Sequence, residues 1–152
     1  MFIINEIMFF NQTSEDLASE IKYLQALINK VVTHETNDKL AFSIVLVTKD
    51  RIRAINKQYR KLDKETDVLS FRLEDSKVNY YQGKRLLGDV FISLDKAKEQ
   101  AQLLKKPLVK ELFFLMVHGF LHLLGYNDEM TKDIKIMNKK QEDILNEYGC
   151  TQ

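Results

Sequence analysis

His118 and His122 stand four residues apart inside the longest apolar run of the chain, PLVKELFFLMVHGFLHLLGYND, residues 107 to 128. On a helix, residues four apart share one face, one turn apart. Two imidazoles so placed can bind one divalent ion, as in the HExxH metalloproteases. Asp128, six positions beyond the second histidine, offers a carboxylate that can return to the same ion. Two histidines and an aspartate make three protein ligands, and an open fourth position marks a catalytic rather than a structural zinc-type site. The competing reading is a pair of core histidines with hydrogen-bonded rings. Buried imidazoles in an apolar helix need polar partners, and the nearby carboxylate weights the pattern toward a metal.

The element carrying the histidines reads as a helix. Pro107 suits its first position, because the fixed φ fits and the missing N–H would be unpaired there. From Leu112 to Val117 there is no polar face, and a helix apolar all round belongs in a core or a membrane. A membrane span needs about 20 apolar residues; this run is shorter, is interrupted by two histidines and opens with Lys110 and Glu111. It is therefore expected to be the central buried helix of a soluble domain, with Gly125 ending it in the left-handed conformation. An HExxH peptidase carries its general-base glutamate directly after the first histidine. Here that place holds Gly119, followed by Phe120, which weakens a peptidase reading. A bound metal can itself bring the pKa of water to about 7.

The remaining elements follow in order. Residues 1 to 10 read as a strand. Thr13 or Ser14 can cap a helix whose apolar positions Leu17, Ile21, Leu24, Leu27, Ile28, Val31 and Val32 keep helical spacing to near His34. His34, among Thr, Glu and Asn at that helix end, reads as a surface residue rather than a ligand. LAFSIVLVT, 40 to 48, reads as a buried strand. A helix follows from about Asp50 to Arg60, with Ile52, Ile55, Tyr59 and Leu62 on the core side. Thr66 to Phe71 is a strand, 72 to 85 a loop or hairpin with Gly83, and Leu86 to Ser93 a strand broken at Gly88 by a bulge or close backbone approach. Ser93 or Asp95 starts a helix to about Leu104, and a last helix runs from Thr131 to Tyr148, ended by Gly149. The expected fold is one α+β domain over residues 1 to 152, about four strands and five helices in layers.

At 152 residues, 45% hydrophobic and 30% charged, the composition is that of an ordinary globular domain. The single cysteine, Cys150, excludes an internal disulfide framework and a cysteine zinc cluster and fits a reducing cytosol. The start, MFIINEIMFF, has no basic residues before its apolar part and does not read as a signal peptide. The net charge of +1 conceals a basic element. Arg53, Lys57, Arg60, Lys61 and Lys64 fall on one side of the second helix and its extension. They can be a solvated face or a rail for a phosphate backbone.

HGFLHLLGYND resembles the signature of the YbeY family of bacterial endoribonucleases, H-G-x-L-H-L-x-G-Y-D-H. NKQYRKLDKETDVLSF, Asn56 to Phe71, is similar to the family's N-x-x-Y-R…D-x-x-T-D-V-L-S-F block, and LLGDVFIS, Leu86 to Ser93, to its L-G-D-I-x-I-S block. The chain departs from the family's usual residues at several places. Asp128 stands where the family has a third metal-binding histidine, Asn127 where it has aspartate, and Glu65 and Arg72 where proline is usual. Aspartate is an accepted ligand for zinc and for harder ions, so the site is expected to hold one divalent ion, Zn²⁺ first, with preference drawn toward oxygen-loving metals.

The resemblance implies a small mixed sheet packed by helices, with a zincin-like metal site on the central helix. It implies a single-strand-specific, metal-dependent endoribonuclease acting in 16S rRNA 3′-end maturation and ribosome quality control in the cytoplasm. Ribosomal RNA, a small-subunit ribosomal protein and an Era-type GTPase are the implied partners, with no membrane. It also implies a functional role for Arg60, whose charge suits a transition state gathering negative charge at phosphorus. Asp67 and Ser70 match positions near the cleft; Asp89 is open between that and a structural carboxylate. Two alternatives stay open: a peptidase-like hydrolase of another substrate, and an RNA-binding ribosome-assembly factor with a structural metal.

Overall fold

Eight consecutive apolar or small residues, LAFSIVLV, build the strand at the centre of the sheet. This strand, β2 (Leu40–Val47), is buried along its whole length, as expected where a parallel sheet is covered on both faces. The structure is a computed structural model and describes residues 5–73 and 80–148. The element order is β1 (Glu6–Asn11), α1 (Ala18–Glu35), β2, α2 (Lys49–Arg60), β3 (Val68–Arg72), β4 (Tyr80–Tyr81), β5 (Lys84–Ser93), α3 (Leu94–Leu103), α4 (Leu108–Leu124) and α5 (Thr131–Glu147). The sheet runs β1-β2-β5-β3, with β4 also paired to β5. β1 and β5 lie parallel to β2, while β3 and β4 run antiparallel to β5.

Helix α4 is laid on β3 and β5 and flanked by α1, α3 and α5. Phe113, Val117, Phe120, Leu121 and Leu123 are all fully buried on it, and Phe120 stacks on Phe42 of β2 at 5.4 Å between centroids. Its opening is buried too. Glu111 is only 2% exposed and pairs with Lys106 at 2.8 Å, a negative charge in the first turn where the helix dipole favours it. On the opposite face α2 packs Ile52 and Ile55 against Val45, Val47 and Leu69. Among the described residues no single helix is long and apolar enough to cross a membrane.

Two glycines set the spacing of these layers. Gly88 has φ 133°, and a Cβ there would stand 2.0 Å from the Phe71 carbonyl oxygen. The register between β2 and β5 shifts at the same place, so the bulge and the close approach expected of Gly88 both occur. Gly119 brings α4 down onto the sheet: its Cβ would stand 2.5 Å from Val90 Cγ1. A glutamate in this position, as a peptidase would carry, has no room in this packing.

Several expectations need correcting. Helix α1 starts at Ala18 with Leu17 as N-cap and no side-chain cap. Thr13 does not cap it. Its N–H and hydroxyl donate to Asn11 Oδ1 at 3.0 and 2.6 Å, closing the turn after β1, while burial of Leu17 fixes the helix start. Pro107 is the N-cap of α4, one place earlier than expected. Tyr59 and Leu62, expected on the core side of α2, are 63% and 47% exposed. The helix stops at Arg60 because Lys61 turns left-handed at φ 61°, and Asn56 takes the buried place, donating to the Lys64 carbonyl at 3.1 Å. A fifth strand, β4, forms a hairpin with β5 through Gln82 and Gly83, whose φ values of 51° and 79° are both positive, as a type I′ turn requires. The expected first strand is seen as Glu6–Asn11. Residues 1–4, 74–79, Gly149 and Cys150 lie outside the described residues.

Gly88→Ala combines a forbidden φ with a backbone clash and should cost about 3 kcal/mol of unfolding free energy or more. Gly119→Ala meets the side chains of Val90 and Ser70 rather than backbone and gains helix propensity of about 1 kcal/mol, so its net cost should be smaller. Urea unfolding of both variants checks the order; equal stability of Gly88→Ala and the unsubstituted chain would show that the β3–β5 approach does not constrain this position.

Candidate active site

The apolar burial of α4 leaves His118 and His122 on its one half-exposed stripe, facing a cleft of about 560 Å³. His118 Nδ1–H donates to Gln141 Oε1 at 3.1 Å, and His122 Nδ1–H to the Tyr126 carbonyl at 3.0 Å. These acceptors assign the Nδ1–H tautomer to both rings. Each Nε2 is then a lone pair, and the two stand 3.2 Å apart. Neither can donate to the other, so the arrangement is repulsive until a cation lies between them. A tetrahedral ion with Zn–N distances of about 2.0–2.1 Å holds two nitrogens about 3.3 Å apart, so the pair fits a divalent metal closely. Asp128 Oδ2 lies 3.7 Å from His122 Nε2, and one ligand atom from each of the three residues falls within 4.8 Å of the others. The expected set His118, His122 and Asp128 is thus assembled.

Burial first, and then the neighbouring His118, hold the His122 pKa below its ordinary value, while Asp128 pulls it back up. The ring is therefore neutral near pH 7, with its lone pair available. Gly125 closes α4 at φ 109°. The reversal carries Tyr126 back to accept from His122 and carries Asp128 to the site, which is 57% exposed in its side chain.

Gln141 was not anticipated. It is 4% exposed, and its Nε2 donates to the Phe114 carbonyl at 3.2 Å, which orients Oε1 toward His118. Outer partners of this kind fix the ring and raise its basicity as a ligand. The signal was available, since Gln141 interrupts the series Ile134, Met137, Ile144, Leu145 on the apolar side of the last helix.

Arg60 lines the same cleft. Its Nη2 donates to the Ser70 carbonyl at 2.6 Å, and its guanidinium lies 5.2 Å from the centroid of the Phe71 ring. Arg72, marked in the sequence only as a departure from a proline, is a second guanidinium in the cleft, donating from Nε to the Leu123 carbonyl at 3.2 Å. Ser70 Oγ donates to the Gly119 carbonyl at 3.3 Å, tying β3 to α4. Asp67 also lines the cleft and accepts from Gln100 at 3.3 Å.

The other basic candidates are not brought to the histidines. Arg53, Lys57, Lys61 and Lys64 are exposed and outside the cleft's walls. Asp63 takes Arg53 at 2.8 Å and approaches Lys57 at 4.0 Å; their hydrogen bond raises the Arg53 pKa and lowers that of Asp63. Asp89 accepts the Ser43 hydroxyl and lines a separate hollow beside α2. His34 lies 3.7 Å from Glu147, away from the metal group.

The family model described as "Endoribonuclease YbeY" matches residues 8–149. Among relatives, a protein of that name from Geobacillus thermodenitrificans is 40% identical over 153 residues, covering 97% of this chain and 98% of its own. Another, from Staphylococcus saprophyticus, is 40% identical over 154 residues, covering 100% and 99%. A solution structure from Thermotoga maritima shares the fold with a TM-score of 0.61 and 25% identity, covering 93% of this chain and 91% of that one.

Added Zn²⁺ should raise the melting temperature of the chain and fail to raise that of His118→Ala. Gln141→Leu removes the acceptor behind His118 together with the donor to the Phe114 carbonyl, and should weaken metal affinity about 10- to 100-fold in a competition against a chelator of known affinity. Affinity unchanged in Gln141→Leu would remove that residue from the site.

Proposed function

The chain belongs to the YbeY endoribonuclease family, and from that premise we propose that it is a metal-dependent endoribonuclease cutting single-stranded RNA, with the 3′ end of 16S rRNA in the cytoplasm as its target. The observation that supports this most is the meeting, in one cleft, of a metal-fitting histidine pair with two guanidinium groups. Phosphoryl chemistry needs positive charge held in place where charge gathers in the transition state. His118, His122 and Asp128 would hold one divalent ion, Zn²⁺ in first place. When bound, such an ion supplies Lewis acidity and water acidified to near neutrality.

The chain's own residues supply the rest. Arg60 is fixed through one N–H and by Phe71, which leaves the rest of its fork to face a phosphate bidentately. Arg72 adds a second positive group on the α4 side. Arg53, Lys57, Lys61 and Lys64 lie beyond the cleft and serve as the outer rail that gathers RNA by its backbone. A small-subunit ribosomal protein and an Era-type GTPase are the partners we expect with this substrate. A peptidase is disfavoured because the space where its base would stand is filled by Val90 against Gly119.

Purified protein with Zn²⁺, Mn²⁺ or Mg²⁺ in turn should cut an RNA spanning the 16S 3′ end, and His118→Ala should not. Equal cutting by both would sink the proposal. Arg60→Ala should lower kcat about 10²- to 10³-fold, the scale of one lost transition-state donor, with metal affinity unchanged. Lys57→Ala combined with Lys61→Ala should weaken RNA binding and flatten its log–log salt dependence by about 1.4, at about 0.7 per phosphate contact for single strands. An unchanged slope would remove the rail from the account.

A further inference from the structure

Past His118 the metal cleft opens into a second cavity of about 400 Å³, within the range of about 300–1,000 Å³ typical of small-ligand sites. The two share His118, Asp67 and Val68, so a polynucleotide lying across the histidines leads into it. Their linings differ in kind. The metal cleft holds Arg60 and Arg72. The second cavity has no lysine or arginine among its described lining residues; it is walled by Phe114, Leu115 and Leu145, with Asn138, Glu142 and Asn146 along one side. Those last three are exposed and fall at four-residue steps of α5, so they form one ridge above the apolar floor. Lys106 lies 5.2 Å from the centroid of the Phe114 ring, but it is tied to buried Glu111 at 2.8 Å.

A phosphate entering this cavity would find no cation and would meet the Glu142 carboxylate. A nucleobase would find an apolar surface for its faces and side-chain amides and a carboxylate for its edge. We propose that the cavity takes one unpaired nucleobase, that of the nucleotide adjoining the phosphate held at the histidines, and that Glu142 favours bases with an exocyclic amino group. This rests on the RNA-cleaving reading and gives its single-strand selectivity a physical basis. A base paired and stacked in a duplex cannot reach the floor, whereas an unpaired one turns in with its edge free.

The test is binding rather than cleavage. Metal-loaded protein is titrated calorimetrically with cytidine 3′-monophosphate, cytidine 5′-monophosphate and ribose 5-phosphate, none of which has a phosphodiester to cut. At least one cytidine nucleotide should bind about tenfold more tightly than ribose 5-phosphate, a modest share of what buried base contacts contribute. Asn138→Phe, which fills the cavity from an exposed helix position, should bring the nucleotide down to the affinity of ribose 5-phosphate and leave the latter unchanged. Asn146→Phe closes the same ridge from its other end and repeats the test should the first variant melt early. Nucleotides no tighter than ribose 5-phosphate, or a gain that survives both fillings, overturns the proposal. Base-dependent binding by a protein that cuts no RNA would keep the cavity and overturn the ribonuclease reading alone.

Discussion

Two imidazole lone pairs 3.2 Å apart are an arrangement that a protein has to hold against their own repulsion. Four separate constraints do so here. The α4 backbone puts the rings one turn apart. Gln141, from α5, and the Tyr126 carbonyl, from the reversal after Gly125, each occupy an Nδ1. The apolar packing of α4 prevents the helix from turning either ring outward. Removing any one would let a ring rotate, and the pair would relax toward an ordinary hydrogen bond. The fold is thus spent on keeping a cation-seeking geometry intact before any cation arrives, which is what a metal site with few protein ligands needs.

The same helix has to come close to the sheet for β3 to supply the other half of the cleft. Gly119 permits that approach, and Ser70 fastens it by donating to the Gly119 carbonyl. Arg60 donates to the Ser70 carbonyl, so the guanidinium is located by the same residue that locates the histidine helix. The histidine pair and the Arg60 guanidinium, carried on different elements, therefore share one anchor. The glycine after the first histidine is then a packing requirement of this cleft as well as the loss of a peptidase base.

Much of this was legible in the sequence. The histidine spacing, the apolar continuity of α4, the terminating Gly125 and the returning carboxylate of Asp128 are local facts, and local facts survive into three dimensions. So did the order of strands and helices apart from the two-residue β4, because β-branched runs and helical periods are set by near neighbours. What failed was of two kinds. The start of α1 and the facing of Tyr59 and Leu62 escaped local spacing: Leu17 is buried, and Lys61 turns left-handed directly after α2 ends at the expected Arg60, taking Leu62 off the helical face. Gln141 and Arg72 could not be assigned from spacing, since each acts across the fold, twenty-three and fifty-one residues from its partner. Gln141 did leave a trace as the polar residue on an apolar stripe.

The cations of this protein divide by how they are held. Arg60 and Arg72 each give a hydrogen bond to a backbone carbonyl, of Ser70 and Leu123, and both line the metal cleft. Lys57, Lys61 and Lys64 are exposed outside it, Lys57 lying 4.0 Å from Asp63 and Lys61 giving only a long hydrogen bond of 3.5 Å to the Gln58 carbonyl one turn back. A charge already oriented costs no reorganisation when the transition state forms. A solvated lysine must give up side-chain freedom to make its contact, and its attraction is screened by salt over about 8–10 Å. The first pair suits chemistry at one phosphate, and the second group suits gathering a long polyanion. The net charge of +1 averages over the whole chain; at the cleft the fixed guanidiniums of Arg60 and Arg72 stand beside the metal-fitting pair, with the carboxylates of Asp67 and Asp128 in the same walls.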